Sequence, residues 1–313
     1  MSYSPYDLMQ MAVDIVNDSP HPTNKIAATI SGAGPDGAPY ALARTNGWPA
    51  PIAEKIGMDT DIGNSSGTVH AETACILDAP KTKAAKIFIT DPPCPNCVKN
   101  IAEAGIKDIY IDHKGFDKDW AKRRGDTFES MALRMCERSG IEVYEIWRKE
   151  QRVEPILEIF KGYSPPLEKP ARAVACAPEA YEEDLIAKAH KFYASEPFAL
   201  AIAHNHDGES IMISAEPHLV IGYTSETDTH EDGKYSFALE PVNRLLMTAA
   251  RKGLTIDPAY LYSSRVPSSR ELVNMIGAGL NQISIGDTQS ARDEFGPRAL
   301  KQLVDAGILN IQN

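Results

Sequence analysis

Two stretches of this chain repeat one pattern. KIFITDPPCPNCVKNIAEAGIKDIYIDH (residues 86–113) and YLYSSRVPSSRELVNMIGAGLNQISIGD (260–287) align at a constant offset of 174, with Pro93 on Pro267 and Ala104-Gly105-Ile106 on Ala278-Gly279-Leu280. Further on, ALKQLVDAGI (299–308) falls on ALRMCERSGI (132–141). A repeat of this kind calls for two copies of one folding unit, and a chain of 313 residues is long enough to give each copy a sizeable core. At the same offset Cys94 meets Ser268, Cys97 meets Glu271, His70 meets Arg244 and Glu72 meets Leu246. Chemistry that depends on those four residues is therefore expected in the first copy alone.

Within the first copy, DLMQMAVDIVND has apolar residues at helical spacing, while KIAATIS and YALART read as strands joined by the turn GAGPDGAP. TNGWPAPIAEKIGMDTDIGNSSG reads as a loop and TVHAETACILDA as a helix. The strands AKIFITD, KDIYID and IEVYEIW are then separated by the helices PCPNCVKNIAEAG and FESMALRMCERSG, the second closed by its glycine. Alternating strands and helices imply a layered α/β domain with its chemistry at strand ends, where a ligand meets helix N-termini. The proline-rich KGYSPPLEKPARAVACAPE reads as a linker. The expected organisation is a first domain over 1–150, a linker over 151–178 and a degenerate second domain over 179–313.

Charge and composition exclude several functions. The net charge of −11 divides into −4 over residues 1–150 and −7 over the rest, so neither half has the basic excess of a phosphate-backbone binder, and no long nucleic acid is expected as partner. A local basic pocket for one phosphate stays open. No apolar run approaches the roughly 20 residues that cross a bilayer, and MSYSPYDLMQ lacks an export pattern, so a cytoplasmic protein without membrane contact is expected. Five cysteines form no disulfide framework and fit a reducing compartment.

Four groups carry chemistry. His70 and Glu72 open one helix, and Cys94 and Cys97 open the next. Cys94 and Cys97 alone fit a redox pair or half a structural metal site as well as they fit a catalytic centre. With His70 they offer one imidazole and two thiolates to a single centre, a donor set that suits zinc. Asp91 and His113 are poorly placed as a fourth protein ligand, so a position is left for water. Glu72, two residues after His70, cannot share that metal with good geometry, but its carboxylate can exchange protons there. Arg123 and Arg124 could grip a phosphate, and Trp48 could stack on a base. His204 and His206, in AHNHDGE, read as a strand running into a hairpin turn, not as a second metal site. Cys75 and Cys136 lie on apolar helix faces and read as core.

The arrangement H-A-E…P-C-x-x-C resembles the zinc-dependent nucleobase deaminases over residues of about 5–147, with most likeness to deoxycytidylate deaminases. TNGWP (45–49) looks like their substrate loop. The resemblance implies Zn2+ on His70, Cys94 and Cys97, proton transfer by Glu72, and a substrate hydrogen bond from Asn46; Trp48, Ala71, Arg123 and Arg124 are the further candidate substrate contacts. It also implies the fold: tandem three-layer α/β/α domains like cytidine deaminase, each a mixed sheet of about five strands with helices on both faces. Three features depart from the family pattern: only 20 residues between Glu72 and Pro93, the insertion HKGFDKDWAKRRGD (113–126), and the inactive second copy. The expected activity is hydrolytic deamination of a cytosine-type nucleotide, like dCMP, or a related small aminated ring, releasing ammonia, in a chain that could also form a homodimer. A base deaminase acting on transfer RNA or single-stranded DNA, and a non-catalytic nucleotide-binding protein, are the alternatives.

Overall fold

Local signals in the chain set where the first unit's elements begin. The structure, a computed structural model, describes residues 3–117, 131–180, 184–194, 196–226 and 236–312. Helix α1 (Pro5–Ile15) is opened by Ser4, whose hydroxyl accepts from the Asp7 N–H while the Asp7 carboxylate accepts from the Ser4 N–H. Strands β1 (Ala27–Ala33) and β2 (Pro39–Thr45) form the expected hairpin. A short helix α2 (Ala50–Lys55) starts after Pro49, inside the stretch read as loop. Then follow α3 (Ala71–Asp78), β3 (Lys86–Ile89), α4 (Pro95–Glu103), β4 (Asp108–Asp112), α5 (Leu133–Ser139), β5 (Glu142–Trp147) and β6 (Arg152–Leu157). Helix α5 ends at Gly140, which adopts φ of +67°, as its position predicts. The sheet runs β2-β1-β3-β4-β5-β6, with β3, β4 and β5 parallel and the other pairings antiparallel.

The second unit comprises β7 (Arg172–Ala175), α6 (Ile186–Tyr193), β8 (Ala199–His204), β9 (Ser210–Ala215), the short pair β10 (His218–Leu219) and β11 (Ala238–Leu239), α7 (Pro241–Lys252), β12 (Thr255–Val266), α8 (Ser269–Gly277), β13 (Gln282–Ala291), α9 (Phe295–Asp305) and β14 (Asn310–Gln312). Its sheet order is β7-β9-β8-β12-β13-β14. Strands β9-β8-β12-β13-β14 repeat β2-β1-β3-β4-β5 in order and in sense. Each sheet has six strands, not about five, because the stretch 151–178 contributes an edge to both. β6 pairs with β5, and β7 pairs with β9. Pro155 lies in β6, an edge strand, where the missing N–H of proline costs no ladder bond.

The two sheets share one core. On β1, β3 and β4 the alternate residues Ile30, Ile87, Ile89, Ile109 and Ile111 face a middle layer of helices, and on β8 the residues Ala199, Ala201 and Ala203 face the same layer from the other side. The opposite faces are covered separately. Leu8 and Met9 of α1 pack on Phe88, Tyr110 and Ile146, and Ala189 and Tyr193 of α6 pack on Leu200, Ile202 and Tyr262. Helices therefore cover both faces of each sheet. In the middle layer α3 and α4 lie against α7, and their polar contacts are buried. Arg244 on α7, 2% exposed, donates to the Glu103 carboxylate at 3.4 Å and to the carbonyls of Lys169 and Glu216. Lys99 on α4 donates to the carbonyls of Ser236 and Ala238, both at 2.8 Å. Among the described residues no helix is long and apolar enough to cross a membrane.

Candidate metal centre

The sequence places His70 and Cys94 just before two helices, and the fold makes each of them an N-cap. Both caps have extended backbone, with φ and ψ of −73° and 150° at His70 and −76° and 161° at Cys94. Pro95 follows at the first position of α4, where proline's fixed φ suits the helix and its missing N–H would have had no partner. β1 and β3 are neighbours in the sheet, and α3 and α4 pack side by side over them, so the two helix starts meet at one place. Cys97, one turn into α4, points to the same place.

Three ligand atoms converge there. His70 Nδ1 lies 3.1 Å from Cys97 Sγ and 3.6 Å from Cys94 Sγ, and the two sulfurs are 3.6 Å apart. A tetrahedral zinc with bonds of about 2.3 Å to sulfur and about 2.1 Å to nitrogen has edges of about 3.6–3.8 Å, which the two Cys94 separations match and the His70–Cys97 separation undercuts by about 0.5 Å. Among the described residues no fourth His, Cys, Asp or Glu joins the cluster. The Asp91 carboxylate accepts from Thr90 Oγ1 at 2.6 Å, and His113 pairs with Asp112 and stacks on Trp147. Sharing of a proton between the two sulfurs holds the Cys94 thiol well below its ordinary range. The donor set, its spacing and the absence of a fourth ligand among the described residues fit zinc.

Glu72 stands beside the cluster in the first turn of α3, 3% exposed. Its Oε2 is buried with no hydrogen-bond partner among the described residues, and burial pushes its carboxyl up to about 6, with the Cys94 sulfur adding to the rise and His70 opposing it. A buried acceptor without a partner costs free energy unless a bound group uses it. This one faces the triad.

The family model described as the cytidine and deoxycytidylate deaminase zinc-binding region matches residues 4–113. The match covers 110 of the 313 residues, all of them in the first unit. An uncharacterized deaminase in the luxG 3′ region of Aliivibrio fischeri is 29% identical over 99 residues, which cover 31% of this chain and 65% of that protein. ComE operon protein 2 of Bacillus subtilis (strain 168) is 36% identical over 74 residues, covering 21% of this chain and 39% of that protein. The chain thus spans less than two thirds of either relative. Among solved structures, the dCMP deaminase of cyanophage S-TIM5 in complex with dCMP and dUMP overlaps at a TM-score of 0.32 with 21% identity, covering 46% of this chain and all of that one. Its apo form overlaps at 0.30 with 22% identity, over 47% of this chain.

The remaining predicted residues of the first unit have mixed positions. Asn46 is buried, and its side chain ties the strand ends together: Oδ1 accepts from Ser19 Oγ and the Ile26 N–H, and Nδ2 donates to Asn24 O. A carboxamide carries two N–H donors, so these bonds leave one over. Trp48 stacks on His21 with ring centroids 5.6 Å apart, and its Nε1 is buried without a hydrogen-bond partner among the described residues. Ala71 is fully buried at the first position of α3. Arg123 and Arg124 lie outside the described residues. Cys75 and Cys136 are core, as expected, with burial pushing the Cys136 thiol up to about 12. His204 ends β8 and pairs with Asp257 at 3.3 Å, and a hairpin turn follows.

One residue beside the triad has no signal in the sequence. Arg270, at the start of α8 in the second unit, lines a space of about 20 Å³ together with His70 and Cys97 of the first. Its guanidinium donates to the carbonyl of Thr68, two residues before His70, at 2.6 Å. Nothing in SSRELV distinguishes this arginine from a solvated one, and only the packing of α8 near α3 brings it to the metal triad.

The counterpart place in the second unit corrects the constant offset. At α4 and α8 the offset of 174 holds, with N-caps at Cys94 and Ser268. At α3 and α7 it gives way: the N-cap of α7 is Glu240, so Glu240 and not Arg244 answers to His70, and Val242 and not Leu246 answers to Glu72. A repeated hydrogen bond confirms the shift. Asn100 donates to Thr73 in the first unit, and Asn274 donates to Asn243 in the second. One extra turn in α7 restores the offset by β12.

Proposed function

We propose that the deaminase unit hydrolyses the exocyclic amine of a cytosine-type nucleotide, with zinc held by His70, Cys94 and Cys97. The observation that supports this most is the meeting, at two helix starts, of three soft donors with a buried carboxylate oxygen that has no partner among the described residues. Held by these three residues, zinc would supply Lewis acidity and would lower the pKa of a water from 15.7 toward about 7. Glu72 carries protons: it takes one from the attacking water and passes it to the ring nitrogen next to the reacting carbon, then takes the second from the added hydroxyl as that becomes the carbonyl and gives it to the departing amine. A C–O bond forms at the amino-bearing carbon, the C–N bond breaks, and ammonia leaves. A carboxyl pushed up to about 6 exchanges protons efficiently near neutral pH. The spare N–H of Asn46 and the backbone at Ala71 are the substrate contacts that this reading assigns.

The test is ammonia release from a panel containing dCMP, cytidine, cytosine, adenosine and guanine on zinc-loaded protein. Release from a cytosine compound is the expected result. Silence across the panel at one zinc per chain overturns the reading and favours a non-catalytic binding protein. Glu72→Ala is expected to keep the zinc and lower turnover by about 10³-fold or more.

A further inference from the structure

Away from the metal centre, the seam between the two units contains a cavity of about 640 Å³ whose wall holds four cations: Lys81 and Lys83 from the loop after α3, and Arg251 and Lys252 from the end of α7. None of these four side chains has a hydrogen bond or an ion pair among the described residues. Two carboxylates also line the wall, and both have partners: Glu103 takes Arg244, and Glu209 takes Asn205 Nδ2 at 2.8 Å. In a chain of net charge −11 this is a concentration of positive charge against the overall composition. A helix C-terminus presents roughly half a negative charge, which one of the four cations is enough to offset.

The cations are held together by fixed backbone. Thr82, between the two lysines, is fully buried, donates its N–H to Ala250 O on α7 at 2.9 Å and its hydroxyl to Ala104 O at 2.7 Å. Gly105 and Gly253, with φ of +73° and +68°, allow the close approach: Arg251 lies across Gly105, where a Cβ would stand 3.1 Å from Nε, and Lys81 packs against Gly253. Burial lowers Lys107 nearby, and the Arg251 charge adds to the fall. The opposite wall is small and apolar, with Ala171, Ala173 and Ala175 beside Ile211. A volume of this size lies within the range of small-molecule sites, which run from about 300 to about 1,000 Å³.

We propose that this seam cavity binds a small molecule carrying a chain of phosphates, which Lys81, Lys83, Arg251 and Lys252 grip while the alanine wall leaves room for the rest of it. Several cations without carboxylate partners, facing one space, suit a ligand with several anionic oxygens better than a single carboxylate. Because two cations come from each unit, the ligand bridges the halves of the molecule.

The experiment uses the full chain and two probes, inorganic tripolyphosphate and orthophosphate, by titration calorimetry and thermal unfolding. Tripolyphosphate is expected to bind at micromolar concentration and raise the unfolding temperature, and orthophosphate to bind at least 100-fold more weakly. Lys83 and Lys252 are exposed, so the double variant Lys83→Ala/Lys252→Ala is expected to fold normally and to lose about 100-fold in tripolyphosphate affinity. Lys188→Ala/Lys301→Ala, which removes two exposed lysines elsewhere, is expected to bind as the parent does. No binding at millimolar tripolyphosphate, or equal loss in both double variants, overturns the proposal. Neither readout involves turnover, so the result is independent of the deaminase reaction.

Discussion

The metal triad of the first unit and its counterpart in the second sit at the same point of the same topology, yet they use opposite chemistry. In the first, the starts of α3 and α4 present an imidazole and two thiols to a common centre. In the second, the Glu271 carboxylate occupies the equivalent gap, accepting from the Val242 N–H, the Ser268 N–H and the Ser268 hydroxyl, all at 2.7–2.8 Å. Glu240, the residue answering to His70, is held by Arg265 and Arg292. Paired helix N-termini offer N–H donors and positive partial charge, so an anion between them is favourable whatever its source. The first unit places thiols there. The second places its own carboxylate, which serves as a brace between two helices.

The largest expected effect comes from separating the two units. The middle helices are packed from both sides in one core, so residues 1–157 expressed alone are expected to yield no soluble, cooperatively folding product. A monomeric fragment with one bound zinc would show that the second unit is dispensable to the fold. Next is the contrast between equivalent caps: Cys94→Ala is expected to abolish zinc retention, measured by metal analysis after dialysis, whereas Ser268→Ala leaves the zinc in place. Across the seam, Glu103→Ala removes the carboxylate that faces the buried guanidinium of Arg244 and is expected to destabilise the protein by about 3 kcal/mol in denaturant unfolding.

Smaller effects separate the brace from the metal site. Ser268→Ala is expected to lower stability by about 1 kcal/mol, the usual cost of losing an N-cap, with zinc content unchanged. Burial and the nearby Glu240 charge push the Glu271 carboxyl up to about 7, so between about pH 4.5 and 7 the folded state holds this proton when the unfolded state has lost it. Stability from this group therefore falls as pH rises through that window. Urea unfolding at several pH values is expected to show a shallower fall in Glu271→Gln, and an unchanged slope would remove Glu271 as its source.

The sequence alone determined most of the elements and which side chains cluster at the two helix starts. Strand and helix patterns placed β1 to β5 within a few residues, Gly140 marked the end of α5, and the spacing of His70, Cys94 and Cys97 pointed to the cluster they form, because these signals are local or depend on residue type. The offset of 174 revealed the repeat but misassigned Arg244, since a constant register cannot register an added helical turn. The stretch 151–178 read as linker because edge strands are short and tolerate proline. Tertiary structure alone decided that both sheets share one helical layer, that Arg270 reaches the triad, that Asn46 spends most of its hydrogen-bonding capacity on the strand ends, and that four separate cations meet at the seam. Each of these is a contact between residues far apart in the chain. Such contacts follow from how apolar faces pack against one another, and that packing leaves no mark on the neighbouring sequence.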